Sequence, residues 1–138
     1  MKKAVKEYEK ETKEVMKDYG KELILDLHHC NPKKFTRSEL EKFFQELCIA
    51  IDMKRCELVW WDDHGLPPEE CQTEPHLKGI SAVQFIMTSN ITIHTLELLG
   101  NVYLNIFSCK DFDSEKAAEF SQAFFEGKVV GATTIARK

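Results

Sequence analysis

The strongest constraint on the fold is a run of three strand-like segments in the second half of the chain. Residues 80–88, 89–95 and 101–109 are rich in β-branched and aromatic side chains, and the last segment alternates between two sets of residues. Gly100 supplies the turn before that last segment. Because segments in such close succession pair as hairpins, we expect a mostly antiparallel sheet at the centre of the fold.

Two amphipathic helical patterns flank this run of strands. Thr36 and Glu39 have the spacing of a capping box, and apolar residues recur behind them at helical intervals, which predicts a helix over residues 37–51. A second apolar repeat follows Asp113 and Ser114, either of which can cap a helix. Both helices therefore have one apolar side that needs to be covered.

Gly127 is predicted to end the second helix, and three further strands complete the pattern. These strands are predicted at residues 21–27, 55–61 and 128–136. One sheet face is enough to cover both apolar helix sides. We therefore expect an α+β fold, namely a two-layer α/β sandwich with a mostly antiparallel sheet and both helices on one face.

A chain of 138 residues fits one domain, because a domain of this size buries roughly 70% of the surface of its unfolded chain. Residues 2–19 show an amphipathic pattern that Gly20 ends, which predicts an N-terminal helix. We expect residues 1–138 to form a single domain, with a helical extension over 1–20 and the main body over 21–138.

The composition excludes several classes of function. A formal net charge of -4 provides no basic surface for nucleic acid and no polybasic segment for a membrane surface. No apolar run approaches the ~20 residues that a membrane-spanning helix needs, and no signal-peptide core follows the first lysines. We expect a cytoplasmic protein that binds neither nucleic acid nor membrane.

The five cysteines are odd in number, and no two of them have the CxxC spacing of redox motifs and zinc sites. Reduced thiols are the expectation. Four of them, Cys30, Cys48, Cys56 and Cys71, are interpreted as small apolar side chains. Cys109 is the exception, because of the residues that precede it.

A serine stands at the head of the middle strand, where a buried strand ordinarily has valine. This is Ser89; His94 follows five residues later, Ser81 lies on the preceding strand and Cys109 ends the next one. A serine hydroxyl is a poor nucleophile unless strain and a neighbouring base assist it. A cysteine thiol, with an ordinary pKa of about 8.5, still holds its proton at neutral pH and can deliver it.

Four short motifs carry these residues in a fixed order. They are Gly79-Ile80-Ser81, Ser89-Asn90, Ile93-His94-Thr95 and Ile106-Phe107-Ser108-Cys109, preceded by GKELILDLHHC at residues 20–30. In order and spacing they resemble the S-adenosylmethionine decarboxylase family in its short prokaryotic form. The resemblance covers nearly all of the chain after residue 20.

The resemblance implies a self-processing enzyme. In that family the serine, here Ser89, attacks the carbonyl of the preceding residue, here Thr88, and the chain is cut between residues 88 and 89. The serine becomes a pyruvoyl group, the only cofactor, which forms a Schiff base with the amine of the substrate and promotes loss of carbon dioxide. By resemblance, His94 and Ser81 assist processing, and Cys109 donates the proton after decarboxylation.

The resemblance further implies a zymogen of polyamine (spermidine) biosynthesis that acts on S-adenosylmethionine. Small members of the family assemble as homodimers, some with active-site residues contributed across the interface. We therefore expect a small-molecule substrate and a second copy of the chain as the partners.

The sequence departs from the family at several positions. Thr88 and Asn90 replace the usual glutamate and histidine beside the processed serine, and Leu96-Glu97-Leu98 replaces a Trp-Pro-Glu. Neither change at 88 or 90 removes the nucleophile, so we expect cleavage still to occur. The alternative is a homologue that is never processed and serves as a binding or regulatory subunit.

Substrate binding has two interpretations. Trp60 and Trp61 offer aromatic faces for a sulfonium and an adenine, and Asp26 is a weaker candidate for processing or substrate contact. A long loop, residues 62–79, replaces the short family segment that helps to stack adenine. Its carboxylates suggest the alternative of a basic amino acid, ornithine or arginine, as substrate; they are Asp62, Asp63, Glu69, Glu70 and Glu74.

The same loop contains potential metal ligands, but their spacing matches no recognised pattern. The residues concerned are Asp62, Asp63, His64, Cys71 and His76. We therefore expect no metal site.

Overall fold

A computed structural model describes residues 18–138 of the chain. The predicted N-terminal helix lies outside the described residues except for its last two positions. Asp18 and Tyr19 are not helical, and the backbone N–H of Tyr19 donates to the carbonyl of Arg137 at 2.8 Å. The predicted helix therefore does not extend to Tyr19.

Six strands and two long helices follow. They are β1 (Gly20–His28), α1 (Arg37–Ala50), β2 (Arg55–Trp61), β3 (Gly79–Ile86), β4 (Ser89–Leu96), β5 (Asn101–Ser108), α2 (Ser114–Phe125) and β6 (Lys128–Arg137). The strands form one sheet in the order β2-β3-β4-β5-β1-β6, and every neighbouring pair is antiparallel. The predicted α+β sandwich is confirmed.

Both helices cover the same face of the sheet. Because side chains alternate along a strand, one set from each central strand points toward the helices and the other set points away. The buried set includes Leu25, Ile93 and Leu104, which pack with helix residues such as Phe43 and Phe125 in one apolar cluster. We call the opposite side of the sheet the open face.

The predicted helix starts agree with the structure, but one helix end differs. Thr36 Oγ1 accepts the N–H of Glu39 at 3.2 Å, and Asp113 caps the second helix. Glu126, not Gly127, is the residue in left-handed conformation after α2, with a φ of 54°. Its side chain accepts a hydrogen bond from Asn31 at 2.8 Å, a tertiary contact that accompanies this conformation.

Two strands end earlier than predicted, and both ends matter for the site. Met87 and Thr88 form the turn between β3 and β4 rather than the end of β3. Thr88 has a φ of 55°, which no strand residue adopts. Cys109 lies just beyond the last residue of β5.

None of the helices within residues 18–138 combines the length and the apolar character needed to cross a lipid bilayer.

Candidate active site

The two predicted reactive side chains, Ser89 and Cys109, meet at one corner of the sheet. The Ser89 hydroxyl accepts the backbone N–H of Cys109 at 3.0 Å and donates to the Cys109 sulfur at 3.6 Å. Ser89 is only 7% exposed. We call Thr88, Ser89 and Cys109 the nucleophile corner.

The loop that holds Cys109 is fixed by its neighbours. The buried Ser108 hydroxyl donates to the carbonyl of Lys110 at 2.7 Å and accepts the N–H of the same residue at 3.0 Å. The Lys110 ammonium in turn contacts the Asp52 carboxylate at 2.7 Å. These contacts keep the thiol beside the serine.

Gly20 lets the first strand run close beside this loop. A Cβ atom at this position would lie 2.1 Å from the carbonyl oxygen of Ser108 and 2.8 Å from the Cα of Cys109. No side chain larger than hydrogen fits there without displacing the backbone that carries the thiol.

Thr88 is strained at the bond that the resemblance predicts to be cut. A β-branched residue in the left-handed region is a steric outlier that costs about 1–2 kcal/mol, and such strain persists only where the surrounding structure imposes it. The strain therefore lies in the backbone torsion of the residue whose carbonyl is the predicted target of Ser89.

The Cys109 thiol is hydrogen-bonded in a way that favours its ionised form. The Thr88 hydroxyl lies 3.0 Å from the sulfur, and hydrogen bonds from Thr88 and then Ser89 lower the pKa of Cys109 below its ordinary value. Tyr19 contributes in the same direction. The thiol is partly exposed, so it is accessible to a reactant.

The other two predicted residues, Ser81 and His94, form a second pair. They are directly opposite each other on β3 and β4, and the Ser81 hydroxyl lies 2.8 Å from His94 Nδ1. This contact fixes the orientation of the imidazole and leaves its other nitrogen free for a proton. We call Ser81 and His94 the imidazole pair.

The imidazole pair belongs to a row of side chains that crosses the open face. Cross-strand pairing places Trp61 opposite Ser81, His94 opposite Tyr103, and Tyr103 opposite Asp26. A depression of about 320 Å³ beside the pair is lined by Trp61, Tyr103 and His76 among others. An aromatic wall therefore stands next to the pair.

Within one chain, the structure does not bring the imidazole pair to the nucleophile corner. Ser89 and His94 are five residues apart on one strand, a separation of about 16 Å along its axis. The odd spacing also points them to opposite faces, so Ser89 is buried toward the helices and His94 is exposed on the open face.

The two predicted tryptophans also lie on opposite faces. Trp61 is 67% exposed beside the imidazole pair. Trp60 packs against the core, and the Arg37 guanidinium lies 5.5 Å from its ring. Only Trp61 lies where a substrate on the open face can contact it.

Sequence reasoning missed Tyr19 as a residue of this region. A depression of about 330 Å³ opens beside Cys109 and is lined by Tyr19, Lys21 and Asp111 among others. The Tyr19 ring stacks on Phe107, with the centroids 6.3 Å apart. The sequence signal was the alternation of β5, which places Phe107, the residue that Tyr19 contacts, on the same side as Cys109.

The carboxylates of the 62–79 loop are largely engaged within the loop and its surroundings. Asp62 forms a two-pronged ion pair with Arg37, at 2.8 and 2.7 Å, which lowers the pKa of Asp62. Asp63 accepts the N–H of Gln72 at 2.8 Å, and Glu74 lies 3.4 Å from His76. Among residues 18–138, no three His, Cys, Asp or Glu side chains converge as a metal ion requires.

Comparison with known proteins agrees with these motifs. Residues 21–138 match the family described as S-adenosylmethionine decarboxylase. The chain is 31% identical over 107 residues to the S-adenosylmethionine decarboxylase proenzyme of Clostridium botulinum, a match that covers 76% of this chain and 82% of that one. It is 28% identical over 119 residues to the proenzyme of the same name from Thermodesulfovibrio yellowstonii, covering 86% and 80%.

The fold matches as well. The crystal structure of the adenosylmethionine decarboxylase from Aquifex aeolicus superposes with a TM-score of 0.68 at 15% identity, over 87% of this chain and 91% of that chain. At that identity the likeness concerns the fold, whereas the match over residues 21–138 concerns the family. The chain therefore belongs to the S-adenosylmethionine decarboxylase family.

Proposed function

We propose that this chain is the proenzyme of a pyruvoyl-dependent decarboxylase that acts on S-adenosylmethionine. A single domain is cut between residues 88 and 89, and Ser89 becomes the pyruvoyl group. The observation that supports this most directly is the nucleophile corner, where a strained Thr88 precedes a serine whose hydroxyl is held by the backbone and thiol of Cys109.

The first step is an acyl shift. Ser89 Oγ bonds to the Thr88 carbonyl carbon, the carbon–nitrogen bond between the two residues breaks, and the hydroxyl proton ends on the released amine. The product is an ester, and abstraction of the Ser89 α proton then expels the Thr88 carboxylate and divides the chain. The dehydroalanine that remains at position 89 is hydrolysed by water to the pyruvoyl group, and its nitrogen leaves as ammonia. The elimination requires a base. His94, oriented by Ser81, is the candidate.

Ser89 is also well placed to hold the resulting group. Ser89 is 7% exposed, so a pyruvoyl group at this position is shielded from bulk water except on the side of Cys109. A pyruvoyl group supplies an electron-withdrawing centre that stabilises the charge left when carbon dioxide departs. Cys109 lies within contact distance of that position and is the candidate proton donor.

The site needs a second copy of the chain. Ser89 and His94 are about 16 Å apart along one strand and point to its opposite faces, too far for proton transfer. The open face carries exposed apolar side chains of the kind that an interface covers, namely Val59, Phe85 and Ile135. We propose a homodimer in which the imidazole pair of one copy faces the nucleophile corner of the other.

The residues proposed to contact substrate are Trp61, Tyr19 and Asp26. The sulfonium of S-adenosylmethionine is a cation, and both it and the adenine favour aromatic faces. Trp61 is exposed beside the imidazole pair, and Tyr19 lines the depression beside Cys109. Asp26 lies in the same row as His94, with its carboxylate on the open face.

A basic amino acid is less well supported as the substrate. The carboxylate best placed for it, Asp62, is bound by Arg37, and Asp63 is held by the backbone of Gln72. The named relatives are S-adenosylmethionine decarboxylase proenzymes. By the same resemblance, we place the activity in polyamine biosynthesis in the cytoplasm.

Denaturing mass spectrometry of the purified protein tests processing. We expect fragments of residues 1–88 and 89–138, the second with a keto N-terminus, whereas a Ser89→Ala variant stays whole. A wild-type chain that stays whole under all conditions would favour the unprocessed, regulatory alternative. Carbon dioxide release from S-adenosylmethionine, with ornithine and arginine as controls, then tests the substrate.

A further inference from the structure

Thr88 makes a contact with Cys109 that the processing scheme does not require. Its hydroxyl oxygen lies 3.0 Å from the Cys109 sulfur and 2.7 Å from the carbonyl of Met87, to which it donates. We propose that Thr88 is a positioning residue, whose hydroxyl holds the sulfur where it takes the Ser89 proton during the acyl shift. This inference rests on the proposed self-processing and adds a role for the thiol before cleavage.

The hydrogen-bond directions support this assignment. The Cys109 N–H occupies one lone pair of the Ser89 hydroxyl, and the proton of that hydroxyl points to the sulfur. The serine proton is therefore already directed at the group that would accept it. The His94 imidazole of the same chain lies on the other face of the strand, and the imidazole pair of the second copy is assigned to the later elimination.

A single hydroxyl can serve both ionisation states of the thiol. While the thiol is protonated, its S–H donates to Thr88 Oγ1 and the Thr88 hydroxyl donates to the Met87 carbonyl. When the thiol is ionised, the hydroxyl turns and donates to the sulfur. Thr88 thereby stabilises the thiolate without leaving a donor unpaired in the protonated state.

The proton balance closes without another reactant. As Ser89 Oγ bonds to the Thr88 carbonyl carbon, its proton passes to the thiolate of Cys109. As the carbon–nitrogen bond breaks, the same proton passes from the thiol to the departing nitrogen of residue 89. The sulfur ends the step as a thiolate, which must be protonated again before it can act as an acid.

The other groups around the sulfur do not replace Thr88. Tyr19 is a further hydrogen-bonding neighbour, and Lys21 is paired with Asp111 at 2.9 Å. Asp18 lines the same depression but is paired with the Lys138 ammonium at 2.7 Å. Among these, the Thr88 hydroxyl has the largest effect in lowering the Cys109 pKa.

The first test measures the thiol in a chain that cannot be cut. In a Ser89→Ala background, Thr88→Val removes the hydroxyl but keeps the β-branched shape, and Thr88→Ser keeps the hydroxyl. The rate of Cys109 alkylation is followed against pH by peptide mapping, with exposed Cys56 as the internal control. We expect Thr88→Val to move the Cys109 midpoint to higher pH and to slow its alkylation at pH 7 about fivefold.

The second test measures cleavage with Ser89 present. Thr88→Val should slow processing about fivefold at pH 7. The difference in rate from wild type should disappear at higher pH, where the thiol ionises without the Thr88 hydroxyl. Thr88→Ser should restore the wild-type pH profile. Thr88→Ala is a second hydroxyl-free variant, in case the valine disturbs the turn.

The outcomes separate this inference from the function on which it rests. A wild-type chain that is never cleaved contradicts the proposed function, while the alkylation experiment still reports on Thr88. If the wild type is cleaved but a folded Thr88→Val or Thr88→Ala chain matches it in both pH profiles, the role of Thr88 is refuted.

Discussion

The two ends of strand β4 carry different kinds of chemistry. At its first residue, Ser89 is buried toward the helices. It is held by the Cys109 loop, which the buried Ser108 hydroxyl and the ion pair of Lys110 fix in place. Near its other end, His94 is exposed on the open face and pairs with Ser81. The buried end has the proposed nucleophile and the exposed end has the proposed base.

In the proposed mechanism, this difference explains why neither end suffices alone. A nucleophile needs a rigid, desolvated setting in which its target is aligned, whereas a base that serves another chain must project from the surface. A sheet with one covered face offers both settings on a single strand, because alternate residues point to opposite sides. The predictions below test whether the two ends are halves of one site.

The largest effect is expected from mixing two inactive variants. Ser89→Ala and His94→Ala should each abolish or strongly slow cleavage alone. When the two variants are co-expressed and pair at random, about half of the His94→Ala chains should have a Ser89→Ala partner. These chains should recover cleavage, because the partner supplies the imidazole. Intact-mass spectrometry gives the cleaved fraction.

The matched control mixes two variants that are both substituted in the nucleophile corner. Ser89→Ala mixed with Cys109→Ala should recover little, because no combination of chains rebuilds a complete corner. Recovery in this control equal to that in the first mixture, or none in either, would contradict the assignment of the two halves to different copies.

The strain at Thr88 gives the next largest effect. Thr88→Gly accepts a φ of 55° without steric cost, so in a Ser89→Ala background it should raise the unfolding free energy by about 1 kcal/mol after the loss of chain entropy. With Ser89 present, Thr88→Gly should slow cleavage more than Thr88→Val does, because it loses the strain as well as the hydroxyl. Thr92→Gly, in the extended middle of β4, should instead destabilise the fold.

The two tryptophans distinguish binding from packing. Trp61→Ala should raise KM for the substrate several-fold and leave the melting temperature nearly unchanged, because the ring is 67% exposed. Trp60→Ala should cost about 2 kcal/mol of stability through lost packing against the core. Steady-state kinetics and thermal denaturation of both variants give the comparison, and a reversed pattern would remove Trp61 from the proposed site.

The smallest effect concerns the loop near the exposed end. Asp62→Asn should reduce the unfolding free energy by about 1 kcal/mol at pH 7, since Arg37 is partly exposed. The folded pKa of Asp62 lies below its unfolded value, so this contribution is present above pH 4 and is lost as acid protonates the folded carboxylate. The stability difference from wild type should therefore shrink on acidification.

The parts of the site that could be predicted were those encoded in strand alternation and spacing. Ser81 and His94 fell on adjacent strands at compatible positions, and their contact follows from antiparallel pairing. The choice between Trp60 and Trp61 required the exact register of β2, which contains an irregularity between Arg55 and Leu58 that the sequence does not mark. A one-residue change of register exchanges the two faces.

The left-handed turn at Thr88 could not be predicted, because a β-branched residue disfavours it and the local sequence matched a strand. Tertiary contacts impose it: Ile86 and Ser89 must pair, and two residues remain to reverse the chain. Tyr19 was missed for a related reason. Its amphipathic neighbours suggested a helix, while its pairing with Arg137 depends on a strand at the other end of the chain.

The strand order determines how the two products of the proposed cleavage would be held together. A break after residue 88 leaves β1, β2 and β3 on one piece and β4, β5 and β6 on the other, yet the sheet runs β2-β3-β4-β5-β1-β6. The first strand is threaded between two strands of the other piece, so the fragments share three ladders of backbone hydrogen bonds. The two fragments should elute as one complex in native gel filtration and dissociate only in denaturant.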